Sequence, residues 1–190
     1  MSTVSIIGTG NMGTAIAGIV TAAGHDVEVV GRDADQAING DLVVLAVPVH
    51  AEADIVATHG AKLAGKTVVE ITNPLNFETF DSLTVPADSS AAAELAAALP
   101  ESKVLKAFNT NFAATLATKQ VGDVPTTVLI AGDDQNAKDA LAAIVTGAGL
   151  EAVDVGALNR ARELEAIGFL QLTLAVGGKL PWTGGFALVR

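Results

Sequence analysis

The chain contains no cysteine, which removes a disulfide scaffold, thiol catalysis and cysteine-ligated metal from consideration. Positive charge is also scarce: 11 lysines and arginines stand against 21 aspartates and glutamates, a formal net charge of −10. Nucleic acid and anionic membrane surfaces are therefore excluded as expected partners. The longest apolar runs, 42–49 and 166–176, are too short for a membrane helix or are broken by Gly168, Gln171 and Thr173. No basic segment precedes the first apolar run in MSTVSIIGTG, so a cytoplasmic address is expected. Three scattered histidines, His25, His50 and His59, make no metal set without cysteine.

What remains is rich in Ala, Val, Leu and Gly, as parallel strands buried on both faces require. Apolar runs at 4–7, 27–30, 42–47, 67–71, 104–108, 127–131 and 152–155 alternate with helical patterns at 12–23, 51–59, 91–99, 136–146 and 158–176. That alternation predicts an α/β fold of Rossmann type, a mostly parallel doubly wound sheet. Residues 1–155 form the predicted dinucleotide-binding domain, and 156–190 a helix and tail packed on it or on a dimer partner. Ser89 and Ser90 are good N-caps for the helix that Pro100 stops. Only about ten residues separate the second run from the third, too few for a full crossover helix, so this part of the fold is expected to be trimmed. The long stretch 73–88, with Phe77 and Phe80, reads either as a lid or as a packed Ω-like loop. The tail KLPWTGGFALVR, with the lone Trp182, either folds over a pocket or docks on a second subunit.

Gly8-x-Gly10-x-x-Gly13 lies between a strand and a helix whose apolar face is Ile16, Ile19 and Val20. Gly8 permits the tight turn, Gly10 lets a pyrophosphate approach the backbone, and Gly13 lets helix pack on strand. The helix then offers unpaired N–H groups and its positive dipole end to the phosphates. Glu28 is mid-strand, and its odd offset from residue 31 points it to the opposite face. At the strand end stand Gly31, which leaves room for a 2′-phosphate, and Arg32, which can pair with one. NADP(H) is the expected cofactor, with pairing of Arg32 to Asp33 or Asp35 the alternative.

Ligands of an open parallel sheet bind beyond the carboxyl ends of its strands. The residues there are Ala46-Val47-Pro48-Val49-His50, Asn73-Pro74 and Asn109-Thr110, poor in acids and suited to holding a carboxamide and an uncharged ring. His50 is the group near this rim that titrates around neutrality, either a proton donor or a cap of the next helix. His25 is expected to be structural and His59 to lie on a helix surface.

GTGNMG, the strand-ending GR, AVP, VVEITNPL, KAFNT, AGDD and VGALNRARELEAI, in that order, resemble the NADPH-dependent F420 reductase-like family and the oxidoreductase domain of the Steap ferrireductases. The resemblance implies a usually dimeric enzyme passing a hydride between NADPH and a deazaflavin or flavin, with coenzyme F420 or FMN as the small-molecule acceptor. It further implies that Thr9, Asn11, Met12, Gly31 and Arg32 bind NADP(H), that Pro48, Asn73, Pro74, Asn109 and Thr110 line the meeting place of the rings, and that Ala161, Arg162 and Glu165 are structural. Asn109-Thr110 follows the ferrireductase pattern, where F420-reducing members tend to have His-Thr. Two other readings stand beside it, a reductase of a small imine or carbonyl and a non-catalytic NADP(H)-binding sensor. Only about 35 residues follow Val155, with Lys179 the sole lysine, which counts against a large substrate domain.

Overall fold

The computed structural model describes every residue except Met1, Arg32, Ala34 and Arg190. Seven strands form one twisted layer: β1 (Thr3–Ile7), β2 (Asp26–Val30), β3 (Leu42–Leu45), β4 (Thr67–Glu70), β5 (Lys103–Lys106), β8 (Thr127–Gly132) and β9 (Glu151–Gly156). Their spatial order is β2-β1-β3-β4-β5-β8-β9. All neighbours are parallel except β5 and β8, so the sheet is a mostly parallel α/β sheet with one antiparallel join.

Helices cover both faces, because the central strands are apolar on both. On one side α1 (Asn11–Ala22) and α5 (Gln135–Gly147) bury Ile16, Ile19, Val20, Leu141 and Ile144 against Ile6, Val44, Val69 and Leu105. On the other, α2 (Glu52–Leu63) and α3 (Ala91–Ala98) set Leu63, Ala92 and Leu95 on Val43, Leu45, Val68 and Val104. The Ser90 hydroxyl accepts the Ala93 N–H at 3.0 Å, capping α3 as its sequence predicts. The long helix α6 (Ala161–Val176) closes the carboxyl edge of the sheet.

No helix or strand occupies 31–41 among the described residues, so β2 becomes an edge strand and the expected trimming is present. Side chains replace the missing element. Glu28 accepts the Ser5 hydroxyl and both the backbone and side-chain N–H groups of Asn39, and the Gln36 amide bridges Gly31 N–H and the Val29 carbonyl. Burial raises the Glu28 pKa, but the hydrogen bonds from Ser5 and Asn39 outweigh it and the net shift is downward.

Three expectations need correction. The run 104–108 is not strand to its end: Phe108 turns into the left-handed region at φ 62° while its ring stays buried. Run 42–47 likewise stops at Leu45, where the chain turns away to form the site. Between β5 and β8 stand a short helix, α4 (Ala113–Thr118), and the hairpin β6 (Gln120–Val121) and β7 (Val124–Pro125), none of which the periodicity predicts. At six residues and without a side-chain cap, α4 is below the length at which periodicity is legible. Gly122-Asp123 between short runs is the hairpin signal that was available.

Candidate functional site

The glycine turn separates its tasks as the spacing requires. Gly8 has φ 119°, and a Cβ there would stand 2.2 Å from the Ala46 carbonyl oxygen. A Cβ on Gly13 would lie 2.5 Å from the Gly8 carbonyl oxygen, so this residue sets how closely α1 meets β1. A Cβ on Gly10 would meet nothing within 4 Å. Two glycines are thus required by the fold, while Gly10 faces open space where a ligand can approach the helix N-terminus.

Two clefts meet over this turn. The outer one, about 600 Å3, is lined by Gly8, Thr9, Gly10, Val30, Gly31 and the α2 residues Asp54, Ile55, Thr58 and His59. The inner one, about 620 Å3, is lined by Asn11, Met12, Ile71, Thr72, Asn73, Asn109 and Asn111, with Phe77, Phe112 and Trp182 adding aromatic surface. Gly10 and Ala46-Val47-Pro48 line both, so one elongated ligand can pass from one to the other over that turn. No charged side chain lines the inner cleft among the described residues.

The inner wall is held from behind. Asn109 Nδ2 donates to Asn73 Oδ1 and to the Leu164 carbonyl, each at 2.8 Å, and Asn73 Nδ2 donates to the Asn109 carbonyl at 2.8 Å. Below lies a fully buried ion cluster. Lys106 donates to Glu70, to the Thr72 carbonyl at 2.6 Å and to Glu165 at 2.8 Å, joining β4, β5 and α6. Glu165 also accepts the Ala91 and Ala92 N–H groups at the start of α3. Burial raises the Glu165 pKa, against the opposing pull of Lys106. Glu52, shut in beside this cluster, is pushed up to about 9 by burial and by the Glu70 carboxylate, with which it shares a hydrogen bond. It is therefore a neutral acid at physiological pH.

Most expected residues converge on the two clefts, but not all take the expected side. His50 is exposed and lines the outer cleft, not the inner one, because a 3-10 turn over Val49–Ala51 carries it away. Thr110 is buried, and its carbonyl accepts Gln171 Nε2 at 3.1 Å instead of facing the cleft. Pro74 is turned into its loop, its carbonyl accepting Thr84. Trp182 folds back onto Phe112, ring centroids 4.9 Å apart, at the inner rim. Arg32 lies outside the described residues.

His59 is not on a surface. It is 1% exposed, on the same face of α2 as the buried Glu52 and Leu63, and neither ring nitrogen has a partner. Thr72 Oγ1, Asn109 Oδ1 and Asn111 Oδ1 are likewise buried without partners, and all three residues line the inner cleft. Asn111 gave no signal beyond its place in the fifth strand-end motif; its role depends on the turn at Phe108. The segment 73–88 packs on itself through a Leu75–Leu83 bridge and an edge-on Phe77–Phe80 pair at 5.8 Å, presenting Phe77 to the inner cleft.

Residues 3–39 match the sequence family described as NADP oxidoreductase, coenzyme F420-dependent. An F420-dependent NADP reductase of Methanocaldococcus jannaschii is 31% identical over 171 residues, 87% of this chain and 76% of that protein. Metalloreductase STEAP3 of Rattus norvegicus is 28% identical over 182 residues, 86% of this chain but only 36% of that one. A solved structure of a candidate F420-dependent NADP reductase from an Arthrobacter species superposes over the whole of both chains with a TM-score of 0.87; at 23% identity this speaks for the fold. Among the described residues no helix is long and apolar enough to cross a membrane.

Proposed function

The chain belongs to the coenzyme F420-dependent NADP oxidoreductase family, and from that premise we propose that it passes a hydride between NADP(H) and a deazaflavin or flavin held in the inner cleft. The observation that carries this reading is the junction at Gly10 and Ala46-Val47-Pro48 between an outer cleft over the glycine turn and an uncharged inner cleft with aromatic walls. When bound, the reduced dinucleotide supplies the hydride.

The residues divide the remaining work. Gly8, Gly10 and Gly13 bring backbone N–H groups and the α1 dipole to the pyrophosphate. Gly31 leaves space for the adenosine ribose and Arg32 pairs with its 2′-phosphate. Asn73, Asn109, Asn111 and Thr72 supply neutral polar groups for a carboxamide. Met12, Phe77, Phe112 and Trp182 exclude water and hold a flat acceptor against the nicotinamide. No acid or base lines the inner cleft among the described residues, which suits transfer between two rings better than reduction of an imine or carbonyl, where a proton must be delivered. Trp182 borders that cleft without filling it, which favours an enzyme over a sensor with a sealed nicotinamide face.

The test is NADPH absorbance under anaerobic conditions with coenzyme F420 and, separately, FMN. Saturable oxidation with either ring is expected. Tight NADPH binding with no turnover on either would overturn the proposed acceptor class. Arg32→Ala is expected to weaken NADPH more than NADH, by about 1–3 kcal/mol; equal weakening would remove Arg32 from the 2′-phosphate.

A further inference from the structure

A third cleft, about 640 Å3, runs between α1 and α4 and opens into the ring cleft, sharing Asn11, Ala113 and Ala114 with it. Its walls are small: Thr14, Gly18 and Ala22 on α1 face Ala114 and Ala117 on α4. Its far end is Lys119. Resting on the proposed ring site, we infer that this groove takes the phosphorylated ribityl tail of the acceptor, with the Lys119 ammonium on the phosphate.

Charge argues for this occupant. In a chain carrying 21 carboxylates against 11 basic residues, no described carboxylate lines the groove, and its one charged group is a cation. Among the described residues the Lys119 side chain has no ion-pair partner. Length agrees as well. From Ala113 at the ring cleft to Lys119, six residues of helix rise about 9 Å, the reach of a five-carbon polyol bearing a terminal phosphate. The backbone gives a third argument. Lys119 caps α4 with φ 61°, the left-handed position that glycine fills at most helix ends. Keeping a lysine there costs stability, so a gain elsewhere is expected.

Two acceptors share this chemistry, FMN and coenzyme F420, and each has a counterpart without phosphate: riboflavin, and the deazaflavin ring with its ribityl chain alone. Fluorescence titration of the NADP+-saturated protein with all four gives dissociation constants independent of turnover. In the wild type each phosphorylated ligand is expected to bind about fivefold tighter than its counterpart, with the preference shrinking as salt rises. Lys119→Gln is expected to bring both ratios close to one. Lys119→Gly removes the same charge while relieving the backbone, so the melting temperature should rise as the preference disappears; a purely structural lysine would give the rise alone. Gly18→Leu fills the groove, since a Cβ at Gly18 meets nothing within 4 Å, and should also erase the preference. Loss of the ratio for FMN but not F420, or the reverse, names the source of the tail. Ratios unchanged in all three variants, whether or not both members of each pair are weakened, would overturn the groove while leaving the ring site standing. Failure of all four ligands to bind the wild type would overturn the ring site itself.

Discussion

Asn73 and Asn109 hold each other across the carboxyl ends of β4 and β5, each side-chain amide donating to the other residue at 2.8 Å. Gly168 of α6 presses directly on this pair: a Cβ there would stand 2.1 Å from Asn73 Oδ1. The helix therefore fixes the wall of the inner cleft through the absence of a side chain.

Gly168→Ala should then be destabilising although alanine is the better helix former. The methyl must displace the Asn73 amide, which breaks both bonds of the pair and leaves the buried Asn109 side chain only its bond to the Leu164 carbonyl, at a cost of about 1–3 kcal/mol. Because the clash is with a side chain, Asn73→Ala in the same chain should recover part of the loss, a favourable coupling in a double-mutant cycle. Thermal unfolding of the four proteins measures it. Additive losses would show that α6 rests on something other than this pair.

The buried cluster gives a pH prediction with a definite sign. Glu52 titrates near 9 in the folded protein against 4.5 for the free side chain. Between those values the unfolded chain releases a proton that the native protein keeps, so native stability falls as pH rises, by up to about 1.4 kcal/mol per unit. Glu52→Gln keeps a neutral hydrogen-bonding group and removes that dependence. Urea unfolding should show the variant more stable than the wild type at pH 8 and the gap closing toward pH 5. Lys106→Met is the contrasting change. It strands Glu70 and Glu165 in the interior and should cost about 3–5 kcal/mol. Equal pH slopes for wild type and Glu52→Gln would show that Glu52 is ionised in the fold.

His59 depends on pH in the opposite sense. Burial depresses its pKa, Lys62 adds to the effect and Asp33 opposes it. As pH drops below about 6.5 the unfolded chain gains a proton that the folded imidazole resists, and native stability is lost on the acid side. His59→Phe preserves the ring shape without unpartnered nitrogens, so between pH 7 and 5 it should lose less stability than the wild type. At pH 7 it should be as stable or more so, since two buried unsatisfied atoms have gone. A variant that follows the wild-type slope would place the acid sensitivity elsewhere.

The difference between these residues shows what sequence can carry. The glycine turn, the alternation of apolar runs and helices and the short 31–41 crossover are local patterns, and each has its counterpart in the structure. Glu28 illustrates the limit. Its strand phase turns it from the ribose side, but its engagement with Ser5 and Asn39 depends on how the crossover folds back. His59 reads as a surface residue because the helical pattern is taken only as far as residue 59; α2 runs on to Leu63, and Glu52, His59 and Leu63 share its buried face. The Glu52–Glu70–Lys106–Glu165 cluster joins four elements, with no spacing short enough to suggest it. His50 stands beside the outer cleft because the chain after Pro48 enters a single turn of 3-10 helix, which the pattern of apolar runs does not foresee.

Gly10 and Gly13 offer the sharpest separation of binding from folding. Both belong to one motif, and both are replaced by the same methyl in Gly10→Ala and Gly13→Ala. At Gly13 the added carbon lies 2.5 Å from the Gly8 carbonyl oxygen, a backbone atom that cannot rotate aside, so α1 must move off β1. A loss of about 1–3 kcal/mol is expected in thermal unfolding, whether or not dinucleotide is present. At Gly10 the carbon enters open space and φ is −74°, a value any residue adopts, so the free protein should keep its melting temperature to within a degree or two, roughly 0.5 kcal/mol. The methyl instead occupies the approach of the pyrophosphate to the α1 N–H groups, and NADPH affinity should fall at least about tenfold, or 1.4 kcal/mol. Calorimetric titration beside a melting curve reads both quantities from the same samples. A Gly10→Ala protein that binds NADPH as the wild type does would move the phosphates away from the α1 N-terminus, and the alignment of outer and inner clefts over that turn would lose its meaning for hydride transfer.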